Sequence, residues 1–133
     1  MSGSYSEEHS AKRLSEQSAA RKAVRTARRL VVKIGSSSIS HAGGGLDREK
    51  LDTLTTALEQ RMAAGSDVFV VSSGAISAGI TPLELHKRPR DIATKQAAAA
   101  VGQIELAKAW GESFSRYERT AVSYTHLRAH ETL

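Results

Sequence analysis

Two short runs of the same make-up constrain this chain more than any other feature: Val31-Val32-Lys33-Ile34-Gly35-Ser36-Ser37-Ser38 and Val68-Phe69-Val70-Val71-Ser72-Ser73-Gly74-Ala75. Each is a β-branched stretch too short for a helix, and each ends in glycine and small hydroxyl residues, the make-up of a strand running into a tight turn. Leu30 to Ile34 does not alternate polar with apolar positions, which predicts a strand covered on both faces, as in a parallel sheet. Between them, Asp47 can cap a helix in which Leu51, Leu54, Ala57, Leu58 and Met62 recur every three or four positions, and Gly65 ends the run. Strand, helix and strand with so short a return predict a βαβ unit whose two strands run parallel.

Parallel strands end at the same edge of their sheet. The two Gly/Ser corners are therefore expected to share one crevice, the place where open α/β sheets bind ligands. Lys33 is the one charge inside the first strand. A buried ammonium must be paired or neutralised, so Lys33 points to an anion such as a phosphate beside Gly35-Ser36-Ser37, where backbone N–H groups and hydroxyls converge. On a solvated edge the same lysine would simply reach into water. Neither corner is specific alone; their convergence carries the reading.

The remaining segments supply a frame. Ser40-His41-Ala42-Gly43-Gly44-Gly45 reads as a flexible loop, Ala75 to Ala78 as the start of a short helix, and Pro82 to Pro89 as a linker. From Asp91 a long helix is expected, with Ile92, Ala97 to Ala100, Val101, Ile104, Ala107, Trp110, Phe114 and Tyr117 at helical spacing. Gly102 within it marks either a mild kink or a close approach of another element. The three aromatics read as core or subunit contacts. Residues 1–28 are rich in Ser, Ala, Arg, Lys and Glu and read as a disordered or loosely helical extension.

Charge and composition narrow the function classes. The formal charge of +5 sits mostly in that extension, where seven cations face three acids within residues 1–29. A nearly balanced body with 5% aromatic residues lacks the basic, stacking surface of a nucleic-acid module. The chain has no cysteine, which excludes a disulfide scaffold. No apolar run is long enough to span a bilayer and no secretory signal opens the chain, so a cytoplasmic location without membrane partners is expected.

Familiar catalytic signatures are missing. There is no G-x-x-x-x-G-K-[ST] and no G-x-G-x-x-G, so neither a P-loop nor a dinucleotide-binding turn is supported. His126 and His130 lie four apart without the glutamate of a zincin or a third ligand, and no protein metal site is expected. Ser73 lacks a G-x-S-x-G elbow.

Three segments together carry a resemblance: Val-Val-Lys-Ile-Gly-Ser-Ser-Ser at 31–38, Val-Ser-Ser-Gly-Ala-Ile-Ser-Ala-Gly at 71–79, and Lys-Gln-Ala-Ala-Ala-Ala-Val-Gly-Gln at 95–103. The first is shared widely among amino-acid kinases. The second and third, in this order, resemble the glutamate 5-kinase family. The resemblance implies an α/β architecture, the N-terminal part of an amino-acid kinase three-layer fold with a mainly parallel sheet, over residues 29–122. It implies transfer of the γ-phosphoryl of ATP to the side-chain carboxylate of L-glutamate, the first step of proline biosynthesis. By the same resemblance Lys33 is the catalytic residue, and Lys33, Gly35, Ser36 and Ser37 hold the ATP phosphates. Ser73, Gly74 and Ala75 bind glutamate, Mg2+ accompanies ATP, and the full-length protein forms a homo-oligomer.

The chain also departs from that pattern. A complete domain of the family is much longer, so an N-terminal fragment, inactive alone, is expected. Residues 123–133 leave the family pattern where another strand is due and resemble a translated sequencing adapter, so a foreign tail is expected there. Two other readings stay open. One keeps the fold with a different small acid, such as carbamate or aspartate, as acceptor. The other is a non-catalytic anion-binding or assembly module.

Overall fold

A computed structural model of the chain describes residues 3–123. The expected tail at 123–133, with His126 and His130, lies almost wholly outside the described residues. The chain is mixed α/β, in the order α1 (Gly3–Thr26), β1 (Arg29–Ile34), a 3-10 turn (Ser36–Ser38), α2 (Arg48–Ala63), β2 (Asp67–Ser72), α3 (Ala75–Ile80) and α4 (Ile92–Ser115).

The βαβ unit is present. β1 and β2 pair in parallel, from Arg29 opposite Asp67 to Ile34 opposite Ser72, with α2 as the crossover. Asp47 caps α2 by accepting from the Glu49 and Lys50 N–H groups at 3.1 and 3.2 Å. Gly65 follows its end with φ +99°, a backbone angle that a side chain disfavours. The buried stripe of α2 is Leu51, Thr55 and Leu58, whereas Ala57, expected on that face, is exposed. Thr55 is accommodated because its hydroxyl donates to the Leu51 carbonyl at 2.9 Å, leaving only its methyl to pack.

Leu51 and Leu58 join Ile34, Leu106, Trp110 and Phe114 in one core, against which Val32, Val68 and Val70 rest. Burial of each large aliphatic side chain contributes about 1.5–3 kcal/mol. Trp110 and Phe114 stack with ring centroids 5.9 Å apart, as core residues. Tyr117, half-buried, shares a 2.6 Å hydrogen bond with Thr56.

The sheet corrects the expectation of burial on both faces. Helices α2 and α4 pack on the side of Val32, Ile34, Val68 and Val70, so the opposite side of the sheet, with Val31 72%, Phe69 60% and Val71 55% exposed, has no layer over it among the described residues. Lys33 lies on that open side, in register with Val71, and is exposed. The premise of a buried ammonium is therefore overturned: side chains alternate across a strand, and Lys33 falls on the uncovered face. Ile92 and Ile104, placed by spacing on the apolar face of α4, are likewise 73% and 69% exposed.

Gly102 is a site of close packing. A Cβ on Gly102 would fall on the Ala75 carbonyl oxygen and 2.6 Å from the Gly79 nitrogen, and a Cβ on Gly79 would fall on the Ala98 carbonyl. The two glycines let the backbones of α3 and α4 touch, which fixes where α3 sits relative to the sheet edge. Between α2 and α4 runs a polar seam, with Asp52 accepting from Ser113 at 2.6 Å and Arg48 pairing with Glu112 at 2.7 Å.

Residues 3–26 form one helix whose side chains, from residue 6 onward, are exposed. Its C-terminus is held by Arg61 of α2, whose guanidinium donates to the carbonyls of Arg25 at 2.6 Å, Val24 at 2.9 Å and Ala27 at 3.3 Å. A cation there satisfies the carbonyls that a helix end leaves without partners.

Candidate functional site

Both strands end at one edge, and their corners meet. The Ser73 N–H donates to the Ile34 carbonyl at 3.0 Å, and the Ser73 hydroxyl reaches the same oxygen at 3.3 Å. Gly74 then turns the chain with φ +113°, and a Cβ there would come to 3.5 Å from both Cα and Cβ of Ser36. The two Gly/Ser turns, distant in sequence, are thus in contact.

A cleft of about 470 Å³ opens at this junction, lined by Ser36, Ser72, Ser73, Gly74, Ala75, Ile76, Ser77 and Arg88. The expected substrate residues Ser73, Gly74 and Ala75 and the expected phosphate residue Ser36 share its wall. Ser37 lies in the wall of an adjoining cleft of about 630 Å³, which also contains Ser36, Ser77 and Arg88. Gly35 and Lys33 line neither cleft. Gly35 has extended backbone, φ −73° and ψ 157°, and no atom within 4 Å of where a Cβ would stand. Neither conformation nor packing demands glycine there. What its bareness does is leave the turn open to an approaching group.

Three features hold the corner in place. Gly79 and Gly102 press α3 onto α4, the Gly45 N–H donates to the Ser77 carbonyl at 2.9 Å, and the Asp47 N–H donates to the Ile39 carbonyl at 2.8 Å. The loop expected to be flexible is therefore a tied hairpin, with a bridge between Ser40 and Leu46.

Arg88 was not among the expected site residues, although it borders both clefts. Its segment reads in sequence as a proline-flanked linker, and the run Lys87-Arg88-Pro89-Arg90 was the available signal. Buried Pro89 anchors that segment while Arg88 stays exposed beside the clefts. Among the described residues neither wall contains a carboxylate, and no group of His, Asp or Glu is arranged to hold a metal ion. The chemistry on offer is hydroxyls, backbone N–H groups and cations, a set suited to anions.

Residues 28–131 match the Amino acid kinase family. The chain is 65% identical over 103 residues to the glutamate 5-kinase of Nocardia farcinica, an alignment covering 77% of this chain and 28% of that relative. It is 63% identical over 103 residues to the glutamate 5-kinase of Rhodococcus opacus, with the same coverage. To that of Mycolicibacterium vanbaalenii it is 55% identical over 114 residues, covering 86% of this chain and 31% of the relative. The chain spans less than a third of the length of these relatives. With parallel strands meeting at a Gly/Ser corner and a family match running through both strands and α4, this chain belongs to the amino acid kinase family.

Proposed function

We propose that this chain supplies the phosphate-side and acceptor-side corners of a glutamate 5-kinase, which transfers the γ-phosphoryl of ATP to the side-chain carboxylate of L-glutamate as the opening step of proline synthesis. The observation that carries the reading is the contact between the two corners, with Gly74 beside Ser36 and Ser73 tied to Ile34. A phosphoryl donor and its acceptor have to lie in line and within bonding reach, and adjoining anion-binding turns provide that placement.

Among the described residues the wall of the first cleft contains no His, Asp or Glu, which fits this acceptor. A carboxylate is already ionised at neutral pH, so the step needs positioning and charge neutralisation rather than proton removal. In this reading the open Gly35 turn and the Ser36 and Ser37 hydroxyls receive the ATP phosphates, while Ser73, Gly74 and Ala75 receive the carboxylate-bearing acceptor. Lys33, exposed on the open sheet face two residues before Gly35, is assigned the role of stabilising charge on the transferring group. Among the described residues the clefts hold no carboxylate to ligate Mg2+, and the metal is assigned to ATP with no step routed through it.

Among the described residues the same walls contain no carboxylate to pair with the α-ammonium of glutamate. We infer that the chain alone does not turn over glutamate and that the complementary groups lie in the part of the relatives it does not span. The test is a chimera in which residues 28–122 replace the aligned stretch of the Nocardia farcinica enzyme. ATP-dependent acyl phosphate, trapped with hydroxylamine, is expected with glutamate and not with aspartate or carbamate. Preferential use of either of those acids would establish a different acceptor, and an inert chimera that is folded and binds ATP would favour a non-catalytic module.

A further inference from the structure

Among the described residues the wall of the first cleft holds one charged residue, Arg88. The rest of that wall is Ser36 and the run Ser72 to Ser77, so Arg88 alone brings a full charge to the place where Ser73, Gly74 and Ala75 stand. Lys33 lies in neither wall, and Lys87 borders only the second cleft. Arg88 is exposed and makes no ion pair among the described residues. A guanidinium carries its donors in a rigid fork that matches a carboxylate with two parallel hydrogen bonds.

The chain on either side of Arg88 is anchored. After α3 the Glu84 N–H donates to the Thr81 carbonyl at 3.0 Å and the Leu85 N–H to the Ile80 carbonyl at 2.9 Å, which closes a turn. Pro89, next to Arg88, is buried, and Asp91 then caps α4. Arg88 therefore starts from a held backbone rather than from a free loop.

Glutamate carries a carboxylate at each end. Transfer requires the γ-carboxylate to lie where the Ser36 and Ser73 turns meet, beside the donor phosphate, which leaves the α-carboxylate to be met elsewhere in the cleft. A carboxylate taken from water without a partner costs affinity. We propose that Arg88 pairs with that α-carboxylate and so restricts the site to acceptors bearing a second carboxylate. This role rests on the kinase reading of the corner and adds to it the group that sets the class of acceptor. Carbamate has no second anionic group to offer.

The experiment compares the chimera carrying residues 28–122 with its Arg88→Ala and Arg88→Lys variants, by calorimetric binding and by acyl phosphate formation. Three ligands divide the acceptor: glutamate itself; glutarate, which keeps both carboxylates without the ammonium; and 4-aminobutyrate, which keeps the γ-carboxylate and an ammonium without the α-carboxylate. Arg88→Ala should weaken glutamate and glutarate about tenfold or more, leave 4-aminobutyrate unchanged, and raise KM for glutamate but not for ATP. Arg88→Lys, which keeps the charge but not the fork, should recover part of the loss. A variant that merely deformed the cleft would weaken all three ligands alike. That result, or glutamate binding indifferent to Arg88→Ala, would overturn the role of Arg88, while acyl phosphate from the unaltered chimera would leave the kinase reading standing. Selective loss of glutamate and glutarate binding in Arg88→Ala, with no acyl phosphate from the unaltered chimera, would do the reverse. A loss confined to ATP binding would move Arg88 to the donor side and also overturn its pairing with the acceptor.

Discussion

Gly102 of α4 faces Gly79 of α3 so closely that a methyl group on Gly102 would stand 2.6 Å from the Gly79 nitrogen. This contact sets the position of Ala75, Ile76 and Ser77, which form one wall of the cleft. Gly102→Ala is expected to destabilise the chain by about 1–3 kcal/mol, because the obstructing atoms are backbone and cannot rotate away. Gly111→Ala on the same helix, where nothing lies within 4 Å, should be neutral or stabilising by up to about 1 kcal/mol. Urea denaturation of the two variants measures the difference, and equal effects would remove the packing account of Gly102.

Asp91 caps α4 by accepting from the Thr94 N–H at 2.8 Å, and that backbone hydrogen bond holds its carboxyl below the usual aspartate range. A depressed folded pKa means that the cap's contribution is complete above the unfolded value of about 4 and disappears as pH falls through the lower, folded value. Melting temperature of the unaltered chain should therefore fall more steeply with acid than that of Asp91→Asn, which keeps an acceptor but has no titrating group. Parallel melting curves down to strongly acid pH check this, and identical slopes would contradict it.

Arg61 is the clasp of α1. Its guanidinium serves three carbonyls at the helix end, and the Ser66 hydroxyl donates to Ala27 at 2.8 Å beside it. Arg61→Ala should lower hydrogen-exchange protection in residues 20–26 while α4 keeps its own. Uniform loss of protection would show that Arg61 supports the core rather than the extension.

In the Nocardia chimera, Lys33→Met should lower kcat by about 10²-fold or more with a smaller change in KM, since a charge acting on the transferring group is felt mainly in the transition state. Ser73→Ala should instead raise KM for glutamate, with KM for ATP little changed. A Lys33→Met enzyme of full kcat would leave that lysine as an ordinary exposed strand residue.

Local pattern alone determined the elements: the strand runs, Asp47 and Asp91 as caps, Gly65 as a stop and the parallel pairing of a short βαβ return are all nearest-neighbour chemistry. The corner residues Ser36, Ser73, Gly74 and Ala75 were legible for the same reason, since strand ends that run parallel must share an edge. Tertiary structure decided which faces were covered. Val31 and Lys33 read as buried, yet with Phe69 and Val71 they face no layer among the described residues, because apolar composition cannot say on which side the helices pack. It also decided between a kink and a contact at Gly102, and it brought Ser40, Lys87 and Arg88 to the wall of one cleft. Those residues come from a hairpin and a linker with no periodicity, and only packing against α3 places them together.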